Sequence, residues 1–113
     1  MELKDSLIAN AKEYFKNATD AHNRNEYNTS VTLFFKTLSA LGDLNILINE
    51  NRMPTSHSER FRILQQKYKK FYFILDKDFP FYQESYRTKL DKETSLMFEE
   101  DARELFKILN ITI

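Results

Sequence analysis

Apolar residues recur at helical spacing along almost the whole chain. Leu3, Leu7, Ile8, Ala11, Tyr14, Phe15, Ala18 and Ala21 give one apolar face to a helix from about Glu2 to about Asn23. Lys4, Asp5, Lys12, Glu13 and Lys16 cover its other face. Asn23-Arg24-Asn25 breaks the pattern. A second helix runs from about Glu26 to about Glu50 on Val31, Phe34, Phe35, Leu38, Leu41, Leu44 and Ile48. Tyr27, Leu33, Ile46 and Leu47 widen that stripe, so this helix is expected at the centre, packed on more than one side. Thr29, Thr32, Lys36, Ser39 and Asp43 form its narrower polar stripe. An unmotivated Gly within a helix costs about 1 kcal/mol, so Gly42 predicts a close helix approach.

After Pro54, Ser56-x-x-Glu59 reads as a capping box, with Thr55 as a competing cap. The third helix then carries Phe61, Leu64, Tyr68, Phe71 and Leu75. Asp76-Lys77-Asp78-Phe79-Pro80 interrupts the spacing and predicts its end. A short fourth helix is expected over about Phe81 to Lys89, with Tyr82 and Tyr86 facing in. Asp91 caps a fifth, which carries Leu96, Phe98, Ala102, Leu105, Phe106 and Leu109 towards the C-terminus. The expectation is an all-α, single-domain chain over residues 1–113. Its form is an up-and-down bundle of four to five helices, led by two long antiparallel N-terminal ones.

Charge narrows the functions open to such a bundle. Lys and Arg number 17, Asp and Glu 17, so no global basic surplus is available to hold a nucleic acid backbone nonspecifically. Any RNA contact has to be local. There is no Cys, which removes disulfides, thiolate metal sites and a Cys nucleophile. Neither of the two His has a ligand partner one turn on, so no metal is expected, and no motif asks for a cofactor. The start Met1-Glu2-Leu3-Lys4-Asp5 is charged, unlike a signal peptide. No apolar run approaches the ~18 residues of a membrane span. A cytoplasmic protein without membrane contact is the expectation. Ten Phe and six Tyr are too many to ignore. At helical spacing they read first as core or dimer interface, and alternatively as a surface for stacking bases.

Four segments stand out together: Tyr27-Asn28-Thr29-Ser30-Val31, Leu33-Phe34-Phe35-Lys36-Thr37-Leu38-Ser39-Ala40-Leu41, Met53-Pro54-Thr55-Ser56-His57-Ser58-Glu59-Arg60-Phe61 and Tyr82-Gln83-Glu84-Ser85-Tyr86-Arg87. With these segments the chain resembles the HEPN family of small helical domains. The Pro-Thr-Ser-His tip is similar to that of an uncharacterised archaeal and bacterial branch. The resemblance covers most of the chain and implies a five-helix bundle and a homodimer. It also implies ribonuclease or toxin activity in many members, paired with a minimal nucleotidyltransferase as partner protein. The family site is an Arg, four to six residues, then a His, late in the domain and facing the dimer mate. Here Arg87 is the late Arg, but Arg87-Thr88-Lys89-Leu90-Asp91-Lys92 holds no His. The string Arg52 to His57 has the spacing and lies earlier, at the tip after the second helix.

Three sets of residues therefore carry candidate chemistry. His57 is a general acid or base for RNA cleavage with Arg52 clamping the phosphate, or a His that closes the turn at a helix start. Arg87 and Tyr86 contact a nucleotide or RNA, or Arg87 pairs with Glu84 or Asp91 near a helix end. Lys36, with Asp43 two turns away, lines a cavity or dimer seam, or faces solvent and pairs across helices. The leading expectation is a HEPN-like dimeric module that binds a partner protein or nucleotide, within a toxin–antitoxin-type pair. A metal-independent endoribonuclease and a purely structural interaction protein are the alternatives. The dimer face is expected on the second and third helices and the aromatic segment after them.

Overall fold

The computed structural model describes residues 2–113. Five helices follow one another: α1 (Leu3–Asn23), α2 (Tyr27–Glu50), α3 (His57–Lys67), α4 (Lys69–Glu84) and α5 (Lys92–Ile108). Among the described residues there is no strand. The all-α bundle with two long N-terminal helices is the predicted one. Short connections turn the chain back on itself. Asn25, Asn51 and Asn110 stand just past α1, α2 and α5 with φ of 62°, 54° and 59°. Asn tolerates this left-handed backbone better than most residues, and each marks a helix stop.

The central helix is α2, which touches each of the other four. Val31, Phe34, Leu38, Leu41, Leu44 and Ile46 are fully buried on it. By length and composition α2 would also pass for a membrane-crossing helix, a point that counting uninterrupted apolar residues overlooks. In this fold those apolar residues form the core. Phe15 of α1 meets Phe34 edge-on at 5.6 Å and Phe106 of α5 at 5.5 Å, which ties three helices together. His22 Nδ1 lies 2.8 Å from Ser95 Oγ, which lies 2.8 Å from Ser30 Oγ. Ser30 donates to the Ala18 carbonyl. The chain of bonds is satisfied in one direction only, with His22 donating, so His22 is a half-buried tie between α1, α2 and α5.

Gly42 is not forced by contact. A Cβ there would meet Leu64 Cδ1 at 3.4 Å and Leu75 Cδ2 at 3.7 Å, both ends of flexible side chains. Gly42→Ala is therefore expected to stabilise the protein by roughly 0.5 kcal/mol, because the gain in helix propensity outweighs a small leucine adjustment. A lower urea midpoint than wild type would contradict this.

The second half departs from the predicted boundaries. Ser56 caps α3 as the capping box requires, accepting from Glu59 N at 3.1 Å, while Glu59 accepts from Thr55 N at 3.2 Å. Asp91 caps α5 by accepting from Thr94 N at 2.9 Å. The third helix, however, ends at Lys67 rather than at Asp76. Tyr68 leaves helical geometry with φ −130° and ψ 69°, and its hydroxyl donates to Glu50 at 2.8 Å. That bond is the first cause of a Glu50 pKa below its ordinary value. Chain then resumes as α4, straight through Asp76 to Pro80. Pro80 is exposed, so its missing N–H costs one bond on the solvent side only. Phe79 and Tyr82, on either side of it, pack on Phe35 and hold the helix together. The expected separate helix over Phe81 to Lys89 is the end of α4 followed by a loop.

Candidate functional site

The C-terminal part of the α2 polar stripe, Lys36, Ser39 and Asp43, faces a shared surface. It lines a groove of about 300 Å³ whose walls come from four helices. Asn10 and Tyr14 of α1 stand on one side, His57 and Arg60 of α3 on the other, and Tyr82 of α4 closes one end. Lys36, Ser39 and Asp43 of α2 form the floor. Helical spacing explains the floor, since residues three or four apart share a face. The wall residues arrive through packing. Phe35 stacks on Tyr82 with ring centres 4.5 Å apart and planes 11° from parallel, which fixes α4 against α2.

A bidentate ion pair anchors the polar end. Arg60 Nε lies 2.6 Å from Asp43 Oδ1, and Arg60 Nη2 lies 2.9 Å from Asp43 Oδ2. Two parallel N–H···O bonds are the strongest arrangement open to these groups. The Arg60 side chain is only 13% exposed, so its charge needs this partner. Arg60 Nη1 also lies 2.9 Å from His57 Nδ1. A guanidinium can only donate, so His57 accepts at Nδ1 and carries its proton on Nε2. The ring is thereby held in one tautomer, and His57 is exposed where it lines the groove.

Lys36 is the free cation of the site. It is exposed, its ammonium lies 5.9 Å from the centre of the Tyr14 ring, and it has no ion pair among the described residues. Ser39 adds a hydroxyl that is buried and finds no hydrogen-bond partner. At the far end, Tyr82 and Tyr86 hydroxyls lie 3.0 Å apart. That bond, and then burial, push the Tyr82 pKa up. The groove thus combines one unneutralised cation, an exposed His57 and aromatic walls. Such a set suits an anionic group attached to a flat ring.

Of the residues singled out from sequence, His57 and Lys36 meet in this groove. Arg52 does not join them. Its guanidinium pairs with Glu50 at 3.0 Å, on the exposed side of the tip. Arg87 is exposed and pairs with Glu84 at 3.2 Å. Tyr86 reaches the groove only through Tyr82. Asp43 pairs across helices, one of the two readings open to it, whereas Lys36 remains unpaired. Arg60, Tyr14, Ser39 and Tyr82 are further members. Arg60 had one local signal, its place one turn after His57, which puts both on the same face of α3. Among the described residues, no three His, Asp or Glu side chains gather closely enough to hold a metal ion. No protein-family model, curated protein or solved structure matches the chain.

Proposed function

We propose that this chain is a HEPN-like helical module of the cytoplasm whose α1–α2–α3–α4 groove binds a nucleotide or the end of an RNA strand. One observation carries the reading. The unpaired Lys36 ammonium and the tautomer-fixed His57 share a groove with Tyr14 and Tyr82. Phosphate would take Lys36 and the His57 Nε2–H, and a base would lie along the tyrosine walls. The sequence resemblance adds a homodimer and a partner protein of the minimal nucleotidyltransferase type, as in toxin–antitoxin pairs.

Titration with adenosine triphosphate, inorganic triphosphate and adenosine tests the groove. Adenosine triphosphate should bind best, weaken as salt rises, and lose about tenfold in affinity in Lys36→Ala. Binding that ignores both salt and Lys36→Ala would place the ligand elsewhere.

A ribonuclease reading has its own observation, the single His57 tautomer held by Arg60. On that reading the His57 Nε2–H would hydrogen-bond a scissile-phosphate oxygen beside Arg60, with Arg52 outside the site. His57 could act as general acid only after Nδ1 takes up a proton and releases Arg60. RNA cleavage that persists in EDTA and vanishes in His57→Ala would establish it. Intact RNA with folded wild-type protein would leave binding as the function.

A further inference from the structure

The outer face of α4 has an unused symmetry. Buried Phe71, Ile74, Leu75 and Asp78 occupy the inner side of the helix. Phe73, 65% exposed, and Phe81, 40% exposed, stand on the solvent-facing flank of the helix, beside α5. They lie four residues before and four residues after Lys77. Lys70 and Glu84 lie seven before and seven after it, both at the surface. About a central Lys77 the stripe therefore reads Lys, Phe, Lys, Phe, Glu, with aromatics matched to aromatics and a cation matched to an anion.

We infer that this stripe is the contact between two copies of the chain, with α4 packed antiparallel on its mate across a two-fold axis at Lys77. The inference rests on the homodimer reading proposed above and names its surface. A two-fold contact requires a self-complementary patch. In an antiparallel pair Phe73 comes level with the mate's Phe81, and Lys70 with the mate's Glu84. At 3.6 residues per turn, Phe73 and Phe81 each lie roughly 40° off Lys77, on opposite flanks. At each level the two rings fall side by side and interdigitate instead of meeting tip to tip.

Lys77 on the axis would face its own copy, a repulsion unless its charge is already matched. It is: Nζ lies 2.8 Å from the Asp101 carboxylate. Its aliphatic stem is left to cover the axis. The Lys70 and Glu84 partners within the chain are surface contacts, at 3.9 Å to Glu104 and 3.2 Å to Arg87. Such pairs are readily exchanged. By contrast α2, an expected dimer face, is the core helix and has little surface to offer. The groove opens on the Tyr82 side of α4, so the dimer leaves both copies of it accessible.

Sedimentation equilibrium across a concentration series reaching ~1 mM tests the face. The wild type is expected to dimerise with a dissociation constant of roughly micromolar order, since one helix pair covers less than a standard interface. Phe73→Asp should raise that constant about tenfold or more. Phe73 is exposed, so the thermal midpoint should stay near wild type. Lys70→Glu alone and Glu84→Lys alone each set like charges opposite each other twice, and each should weaken the dimer several-fold. An equimolar mixture of those two variants should form a heterodimer close to wild-type strength. Exchange of pairs within one chain could not produce that restoration. A wild type that stays monomeric to ~1 mM overturns the dimer reading itself. A dimer indifferent to Phe73→Asp, with no restoration in the mixture, keeps the dimer and overturns this face.

Discussion

Asp43→Ala is expected to destabilise the protein by about 3 kcal/mol, the largest loss of any single change in the groove. The cause lies in what stays behind. Arg60 keeps a full charge on a side chain that is 13% exposed, and two of its N–H groups lose their acceptors. Removing one partner of a desolvated pair costs the unpaired charge as well as the bond. Removing both partners should cost less, so Asp43→Leu with Arg60→Met is expected to recover most of the loss. Urea denaturation of the wild type, Asp43→Ala and the double variant gives the comparison. A loss under ~1 kcal/mol in Asp43→Ala would mean that water reaches Arg60 and that the pair is an ordinary surface bridge. The same series bears on function, because the Arg60 pair holds His57 in its tautomer. Asp43→Ala should therefore weaken adenosine triphosphate binding even when measured well below its unfolding temperature.

The pair also shows where reading the chain succeeds and where it stops. Helices α1, α2 and α5 follow from periodicity because each buries one continuous face or, for α2, most of its circumference. The stops of α1 and α2 follow from Asn25 and Asn51 and the start of α5 from the Asp91 cap, all local signals. The α3–α4 boundary does not follow, because its cause is remote. Tyr68 carries an apolar ring at the right spacing, yet a bond to Glu50 on another helix turns it out of helical geometry. In the opposite sense, Asp76 to Pro80 contains every local sign of a break. Packing of Phe79 and Tyr82 on Phe35 overrides those signs.

Site residues divide along the same line. Lys36 and His57 are recognisable by chemical type and position. Their neighbours Tyr14 and Tyr82 look like any other aromatic at helical spacing. Arg60 and Asp43 are 17 residues apart, and only the angle between α2 and α3 brings them together. Arg52 has a family-like spacing to His57, but spacing through a turn says nothing about direction. The turn points it at Glu50.

Asp78 is the clearest inversion of a sequence rule, and its pH dependence is the second large effect expected. A charged residue in a run of charges reads as solvent-exposed, yet Asp78 is fully buried between α4 and α5. Burial, and then the hydrogen bond and charge of Asp101, push its pKa up to about 8, against the opposing pull of Lys77. In the unfolded chain the group ionises near its ordinary value of 3.8. Between those two values the folded state holds a proton that the unfolded state has lost, so stability falls as pH rises. Below pH ~4 both states are protonated, and above pH ~8 both are ionised and the penalty is complete. Across that window this group alone costs the wild type several kcal/mol, with roughly 6 kcal/mol as the upper bound at about 1.36 kcal/mol per pH unit. Lys77 does not confound the slope. Burial lowers its pKa, but Asp101 and Asp78 outweigh that and hold it above the ordinary lysine value, outside the window. Asp91, kept below its ordinary value by Thr94, loses its contribution only at the acid edge. Asp78→Asn keeps the size and polarity of the protonated carboxyl without a titrating proton. It should raise the thermal midpoint at pH 8, change it little at pH 5, and flatten the profile between. A wild-type midpoint that holds steady or climbs from pH 5 to pH 8 would count against a neutral Asp78. So would an Asp78→Asn profile as steep as wild type, because the slope would then belong to another group.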